Sequence, residues 1–270
     1  MVFTRHLEPR GARWALDGRY VREALGLGNL LQLARSSLPR VLAEIATAEP
    51  AAGPLLAPVE PGQEIWAAGV TYLRSREARM AESDTADIYD KVYAAERAEI
   101  FFKATGWRAV GHGQPIRVRR DSRWNVPEPE LAIVVNARGE IVGYTAGNDV
   151  SSRDIEGANP LYLPQAKVYD GSCAVGPGIV FAPPEEQRAL AIRMRIARGG
   201  KTVFEGQTSS AQLKRSLEEL AGWLTRELSF PQGAILLTGT CLVPPDDFTL
   251  EPGDAVRIEV GELVLENPVA

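Results

Sequence analysis

The chain has 270 residues, 45% hydrophobic and 24% charged, which excludes disorder as its main state and gives room for one large domain or a medium domain with a smaller one. Thirty Lys and Arg against thirty-five Asp and Glu leave a net charge of -5. No basic block is present to neutralise a run of phosphates, so nucleic acid is not an expected partner. Two cysteines, Cys173 and Cys241, lack the spacing of a structural zinc site or a disulfide framework, and a reducing cytoplasm is the expected compartment.

Taken in chain order, the opening Met1 to Pro9 lacks the apolar core of a signal peptide. No stretch reaches the roughly 18 apolar residues of a membrane span, so neither export nor membrane insertion is expected. His6 and His112 are the two histidines, and His112 sits between glycines in a turn, which leaves little material for a catalytic triad or a histidine metal site. Leu38, Val41, Leu42 and Ile45 recur at i, i+3, i+4 and i+7, which predicts a helix over 38–48 with Ser37 as cap and Pro39 in its first turn. A Pro- and Gly-rich stretch follows, and the boundary between a small N-terminal domain (1–62) and a catalytic body (63–270) is placed near Gly62.

Beyond Gly62, short apolar runs predict strands over 65–70, 131–135, 140–144, 178–181, 190–196, 234–237 and 255–260. Helical patterns are read over 72–102 and over 211–228, where Leu213, Leu217, Leu220 and Leu224 share a face. The charge-rich part from Arg74 to Glu99 reads equally as a mobile flap or as a plain solvated helix. The fold class is α+β.

Chemistry concentrates in three places. A period of two puts Glu128 and Glu130 on one face of a strand, roughly 6.5 to 7 Å apart along the chain, within reach of one cation. Alone the pair also fits a solvent-facing strand. Asp149, one hairpin later through the turn at Asn136 to Gly139, returns to the same end and completes a set of three oxygen ligands. Such a set suits magnesium, manganese or calcium and leaves positions open for a substrate. Three carboxylates and a divalent cation sum to -1, and an anionic substrate makes the site more negative, so cations are needed nearby. Lys167 and Lys103 are the candidates, because an ammonium stabilises an enolate as its charge grows.

Glu128-x-Glu130, Asn148-Asp149 followed by Ser-Ser-Arg153-Asp154, Lys167-x-x-Asp170-Gly171 ahead of Gly176-Pro177, and Leu237-Thr238-Gly239-Thr240 occur in the order found in the fumarylacetoacetate hydrolase superfamily, which the chain resembles from Gly62 to Ala270. The resemblance implies a mixed β-roll catalytic domain, a homodimer or homotetramer, and magnesium on Glu128, Glu130 and Asp149. It also implies a 2-oxo acid as the small-molecule substrate. Hydrolases of the superfamily carry a His and a Glu where this chain has Ser75 and Ala78 after Gly69-Val-Thr-Tyr72. Trp124-Asn-Val-Pro-Glu-Pro-Glu-Leu131 and Ala98-Glu99-Ile-Phe-Phe102-Lys103-Ala-Thr105 instead resemble the branch that dehydrates 2-keto-3-deoxy sugar acids, 2-keto-3-deoxy-D-arabinonate going to 2,5-dioxopentanoate. That likeness implies Glu99 and Lys167 as catalytic residues. Tyr72, Ser75, Arg76, Arg153, Glu156 and Thr240 join Lys103 as candidate substrate-binding residues. Carbon-carbon cleavage or decarboxylation of an acylpyruvate is the alternative enzyme reading, and a non-catalytic 2-oxo-acid-binding paralogue the alternative outside catalysis.

Overall fold

Residues with apolar side chains at a period of two, or in short unbroken runs, pair into sheets, and this chain is mainly such stretches. The computed structural model describes residues 1–73 and 91–270. The first part holds β1 (Val2–Glu8), β2 (Gly11–Leu16), β3 (Arg19–Val21), helices α1 (Leu27–Leu30) and α2 (Leu38–Ile45), β4 (Ala46–Pro50) and β5 (Leu55–Leu56). It is followed by β6 (Glu64–Gly69), β7 (Glu99–Thr105), β8 (Asn125–Val126), β9 (Pro129–Val135), β10 (Ile141–Asp149) and β11 (Ser151–Ser152). Next come α3 (Arg153–Ala158), α4 (Leu163–Lys167), β12 (Cys173–Phe181), α5 (Pro184–Gln187), β13 (Ala191–Arg198) and β14 (Lys201–Ser209). The last elements are α6 (Leu217–Leu224), β15 (Ala234–Leu237), β16 (Ala255–Val260) and β17 (Leu263–Pro268).

The large sheet runs β4-β3-β2-β1-β12-β10-β9-β15-β6-β7, with β5 added beside β1, and a separate sheet runs β14-β13-β16-β17. Strand β9 is buried on both faces. Leu131, Ile133 and Val135 pack with Ile192, Met194, Val256 and Ile258 of the second sheet and with α6. Ala132 and Val134 on the opposite face pack with Phe3, Leu31 and Leu42 of the first 62 residues. Two buried faces explain why Leu131 to Val135 is an unbroken apolar run. The layers clamp the β9–β10 hairpin, whose open end carries the carboxylates. No helix among the described residues is long and apolar enough to cross a membrane.

Several element boundaries differ from the sequence expectation. The first helix stops at Ile45, because Ala46 to Pro50 pairs with β3 as a strand, and Ser37 ends a 3-10 turn without a side-chain capping bond. The helix expected over 211–228 is confined to Leu217–Leu224, with Ser216 Oγ accepting from Glu219 N–H at its start. Leu213 lies before it, outside the helix. Of the pattern over 72–102, residues 74–90 lie outside the described residues, and Glu99 to Phe102 is strand. There the tertiary ladder to β6 overrides a charge-rich local pattern.

Phe3 is fully buried, pairs with Ile179 across β1–β12, and stacks on Trp14 with ring centroids 4.7 Å apart. Phe3→Ala should therefore cost roughly 3 to 5 kcal/mol in urea unfolding, and a loss under about 1 kcal/mol would show that β1 does little to hold that flank of the sheet.

Candidate active site

Pro129 and Glu130 open β9, Asp149 closes β10, and the hairpin register sets Gly147 opposite Glu130 and Asn148 opposite Pro129. Glu128 is tied to the same end by two bonds: its N–H donates to Asn148 Oδ1 at 3.1 Å, and its carbonyl accepts from Asp149 N–H at 3.0 Å. Glu128, Glu130 and Asp149 are thereby buried with one oxygen from each within 4.8 Å of the others.

Each carboxylate is held by the protein through at least one oxygen. Glu128 Oε1 accepts from Ser151 Oγ at 2.8 Å and from Arg153 Nη2 at 3.1 Å. Glu130 Oε2 accepts from Gly239 N–H at 2.6 Å. Asp149 Oδ1 faces Lys103 Nζ at 2.5 Å. Two of the remaining oxygens, Glu128 Oε2 and Asp149 Oδ2, receive Lys167 Nζ at 2.9 and 3.0 Å. Hydrogen bonds and ion pairs of this kind orient a set of carboxylates before a cation arrives.

All three donors are carboxylates, the chemistry that hard divalent cations take. The cost of crowding them shows in Glu130, whose carboxyl is pushed well above its ordinary range by burial and then by the charges of Asp149 and Glu128. A divalent cation removes that cost, so the residues present fit one.

A cavity opens over the carboxylates. Glu99, Glu156, Lys167 and Thr240 supply its other polar groups, and Phe101, Leu163 and Val70 its apolar wall. Glu99 faces Gly69 across the β6–β7 ladder, and a Cβ on Gly69 would lie 2.1 Å from Glu99 Oε2, so this glycine makes room for the carboxylate. Next to it Val70 is left-handed, with φ of 50°, a costly conformation for a β-branched residue. The turn is held by Thr71 Oγ1, which donates to the Thr238 carbonyl at 2.7 Å and so locks it to the loop that presents Gly239.

The fumarylacetoacetate hydrolase C-terminal family matches residues 64–270. The chain belongs to the fumarylacetoacetate hydrolase family. Among relatives, it is 47% identical over 251 residues to a protein of Haloferax volcanii named probable 2-keto-3-deoxyxylonate dehydratase, covering 90% of this chain and 86% of the other. It is 46% identical over 219 residues to 2-dehydro-3-deoxy-D-arabinonate dehydratase of Saccharolobus solfataricus, covering 78% of this chain and 73% of the relative. A solved structure of 2-keto-3-deoxy-D-arabinonate dehydratase complexed with magnesium and 2,5-dioxopentanoate superposes over 100% of this chain and 98% of that one, with a TM-score of 0.84 and 35% identity.

Within this family frame, the sequence-derived residues separate into groups. Glu128, Glu130, Asp149, Lys167, Glu99, Glu156 and Thr240 meet at the cavity. Arg153 is buried against Glu128 and does not line it. Lys103 is fully buried behind Asp149, also away from the lining. Tyr72 is buried outside the lining, its hydroxyl pushed to a higher pKa by burial and then by the nearby charges of Cys241 and Glu130. Ser75 and Arg76 lie outside the described residues. Sequence reasoning missed Gly69, Ser151 and the N–H of Gly239 as working parts. The Thr-Gly-Thr at 238–240 was a signal for the last, since glycine is what lets backbone approach a buried group closely.

Because the obstruction at Gly69 is the far end of one side chain, Gly69→Ala should fold with little loss of stability while turning Glu99 out of place. Turnover should fall about 30-fold or more. Unchanged kinetics in a folded Gly69→Ala protein would show that the Glu99 position is immaterial.

Proposed function

We propose that the protein is a magnesium-dependent hydro-lyase that converts 2-keto-3-deoxy-D-arabinonate to 2,5-dioxopentanoate. The observation that carries this reading is the buried set of three carboxylates with Glu99 and Lys167 lining the same cavity, in a chain 46 to 47% identical to relatives named as sugar-acid dehydratases. Glu128, Glu130 and Asp149 would hold the cation, with Mn2+ or Ca2+ accepted by the same donors. When bound, it supplies Lewis acidity that makes the C3 proton of a 2-oxo acid easier to remove.

The rest falls to the protein. Loss of a C3 proton and of the C4 hydroxyl leaves a C3–C4 double bond and releases water. Moving that unsaturation to C5 by proton transfers turns the C5 alcohol into the aldehyde of 2,5-dioxopentanoate. Glu99 is the carboxyl we assign to carry protons between C3 and the departing C4 oxygen. Lys167, already placed on the ligand carboxylates, supplies positive charge where the oxygen of the 2-oxo group becomes negative. Glu156 and Thr240 reach the cavity from other elements and are assigned to the substrate's hydroxyl end. Hydrolysis of an acylpyruvate is disfavoured, because Ser75 and Ala78 replace the dyad that would activate water.

We assign this chemistry to residues 63–270, with 1–62 as an added layer. We further assign the protein to the cytoplasm, which suits its two free cysteines. On family likeness we assign a homodimer or homotetramer, and a monomer mass by light scattering would withdraw that assignment.

Offered 2-keto-3-deoxy-D-arabinonate and an acylpyruvate with magnesium, the enzyme should form 2,5-dioxopentanoate and leave the acylpyruvate largely intact. A chelator should abolish turnover and magnesium restore it. Glu99→Gln should lower turnover by about 100-fold or more, and Lys167→Met by more than about tenfold, or roughly 1.4 kcal/mol of barrier. Release of pyruvate from the acylpyruvate, with no dioxopentanoate from the sugar acid, would move the chain to the hydrolases.

A further inference from the structure

Strand β7 carries Glu99 and Phe101 on one face, at i and i+2, and Lys103 two residues on, at the point where the ladder to β6 takes one extra residue on β7. The first two line the cavity, while Lys103 lies deeper and is fully buried. Its ammonium meets Asp149 Oδ1 at 2.5 Å and donates to the carbonyls of Val150 at 3.1 Å and Lys167 at 2.5 Å. Two of its three N–H groups are therefore spent on backbone carbonyls, and the charge is paired with Asp149. The acceptors belong to two other pieces of the site: the end of β10 and the end of α4. Among the described residues, strand β7, in turn, is an edge strand of its sheet, held on one side by β6 through a ladder whose register shifts between Ile65 and Trp66. An edge strand with an irregular ladder has little of its own to fix where its side chains sit along the sheet.

We propose that Lys103 is a positioning residue, one that pins β7 to Asp149 and to the backbone of Lys167 and so sets the distance from the Glu99 carboxylate to the ligand set. The proposal rests on the proton-carrying role given to Glu99 above. Phe101, between the two in sequence, has its ring centroid 5.8 Å from Lys167 Nζ, so a shift of the strand moves the cavity wall as well. Arginine keeps the charge of Lys103 but presents it as a planar fork, which cannot bring two carbonyls and a carboxylate to one nitrogen.

The test compares Lys103→Arg and Lys103→Met with Gly69→Ala, which displaces Glu99 without touching Lys103. Three readouts are needed: magnesium affinity by calorimetry, kcat and KM for the sugar acid, and deuterium uptake at C3 of pyruvate by proton NMR. Lys103→Arg should fold and hold magnesium affinity and KM within about threefold, while kcat and the exchange rate fall about 30-fold or more, the same split as Gly69→Ala. Full kcat in Lys103→Arg would overturn the proposal. So would a parallel loss of magnesium affinity and stability, or failure of both lysine variants to fold, since each marks Lys103 as a countercharge for Asp149 alone. If the wild-type protein dehydrates no sugar acid, the proposed function fails by itself, and the exchange measurement on pyruvate still reports on Lys103.

Discussion

Three carboxylates crowded inside a protein repel one another and lose their hydration, and the architecture of this chain is an answer to that cost. Glu128, Glu130 and Asp149 come within 4.8 Å of one another with positive charge buried beside them. Arg153, Lys103 and Lys167 reach them from three different elements, the start of α3, strand β7 and the end of α4. Removing one partner of such a cluster leaves an uncompensated buried charge, which costs several kcal/mol, so the elements carrying them are bound to one geometry.

The glycines around the site follow from the same crowding. Gly239 brings a backbone N–H to Glu130 in the left-handed conformation, at φ of 93°, where a side chain would be strained and would also collide with Thr71. Gly147, opposite Glu130, leaves no space for a Cβ because Leu237 lies against it. The hairpin, its antiparallel neighbour β15 and the loop after β15 are therefore closely packed at the open end of the sheet.

Much of this was legible in the sequence, for identifiable reasons. The meeting of the three carboxylates showed because a period of two and a short hairpin are local rules, and both operate inside β9 and β10. The strand carrying Glu99 and Lys103 did not show, because its ladder partner lies about 35 residues away and the charged segment before it carries a helical pattern. Lys103 was read as facing substrate on charge arithmetic, which counts cations near a site but does not say on which side of a carboxylate they stand. Strand β14 escaped notice because it is an exposed edge with few apolar residues, and β1 to β3 because their apolar positions are few and their partners distant.

Among the described strand pairs, β6 and β15 alone run parallel, and this joins residue 64 to residue 234. Parallel strands end at the same edge, which is why the turn at Thr71 meets the loop at Thr238. The consequence concerns time rather than geometry. During synthesis the carboxylate hairpin is complete by Asp149, yet the N–H that fixes Glu130 arrives only with Gly239, some 90 residues later at the ribosome. For all of that interval a charged, half-formed cluster waits for its last partner, so closure of the β6–β15 pair is the long-range step that the folding of this site must await.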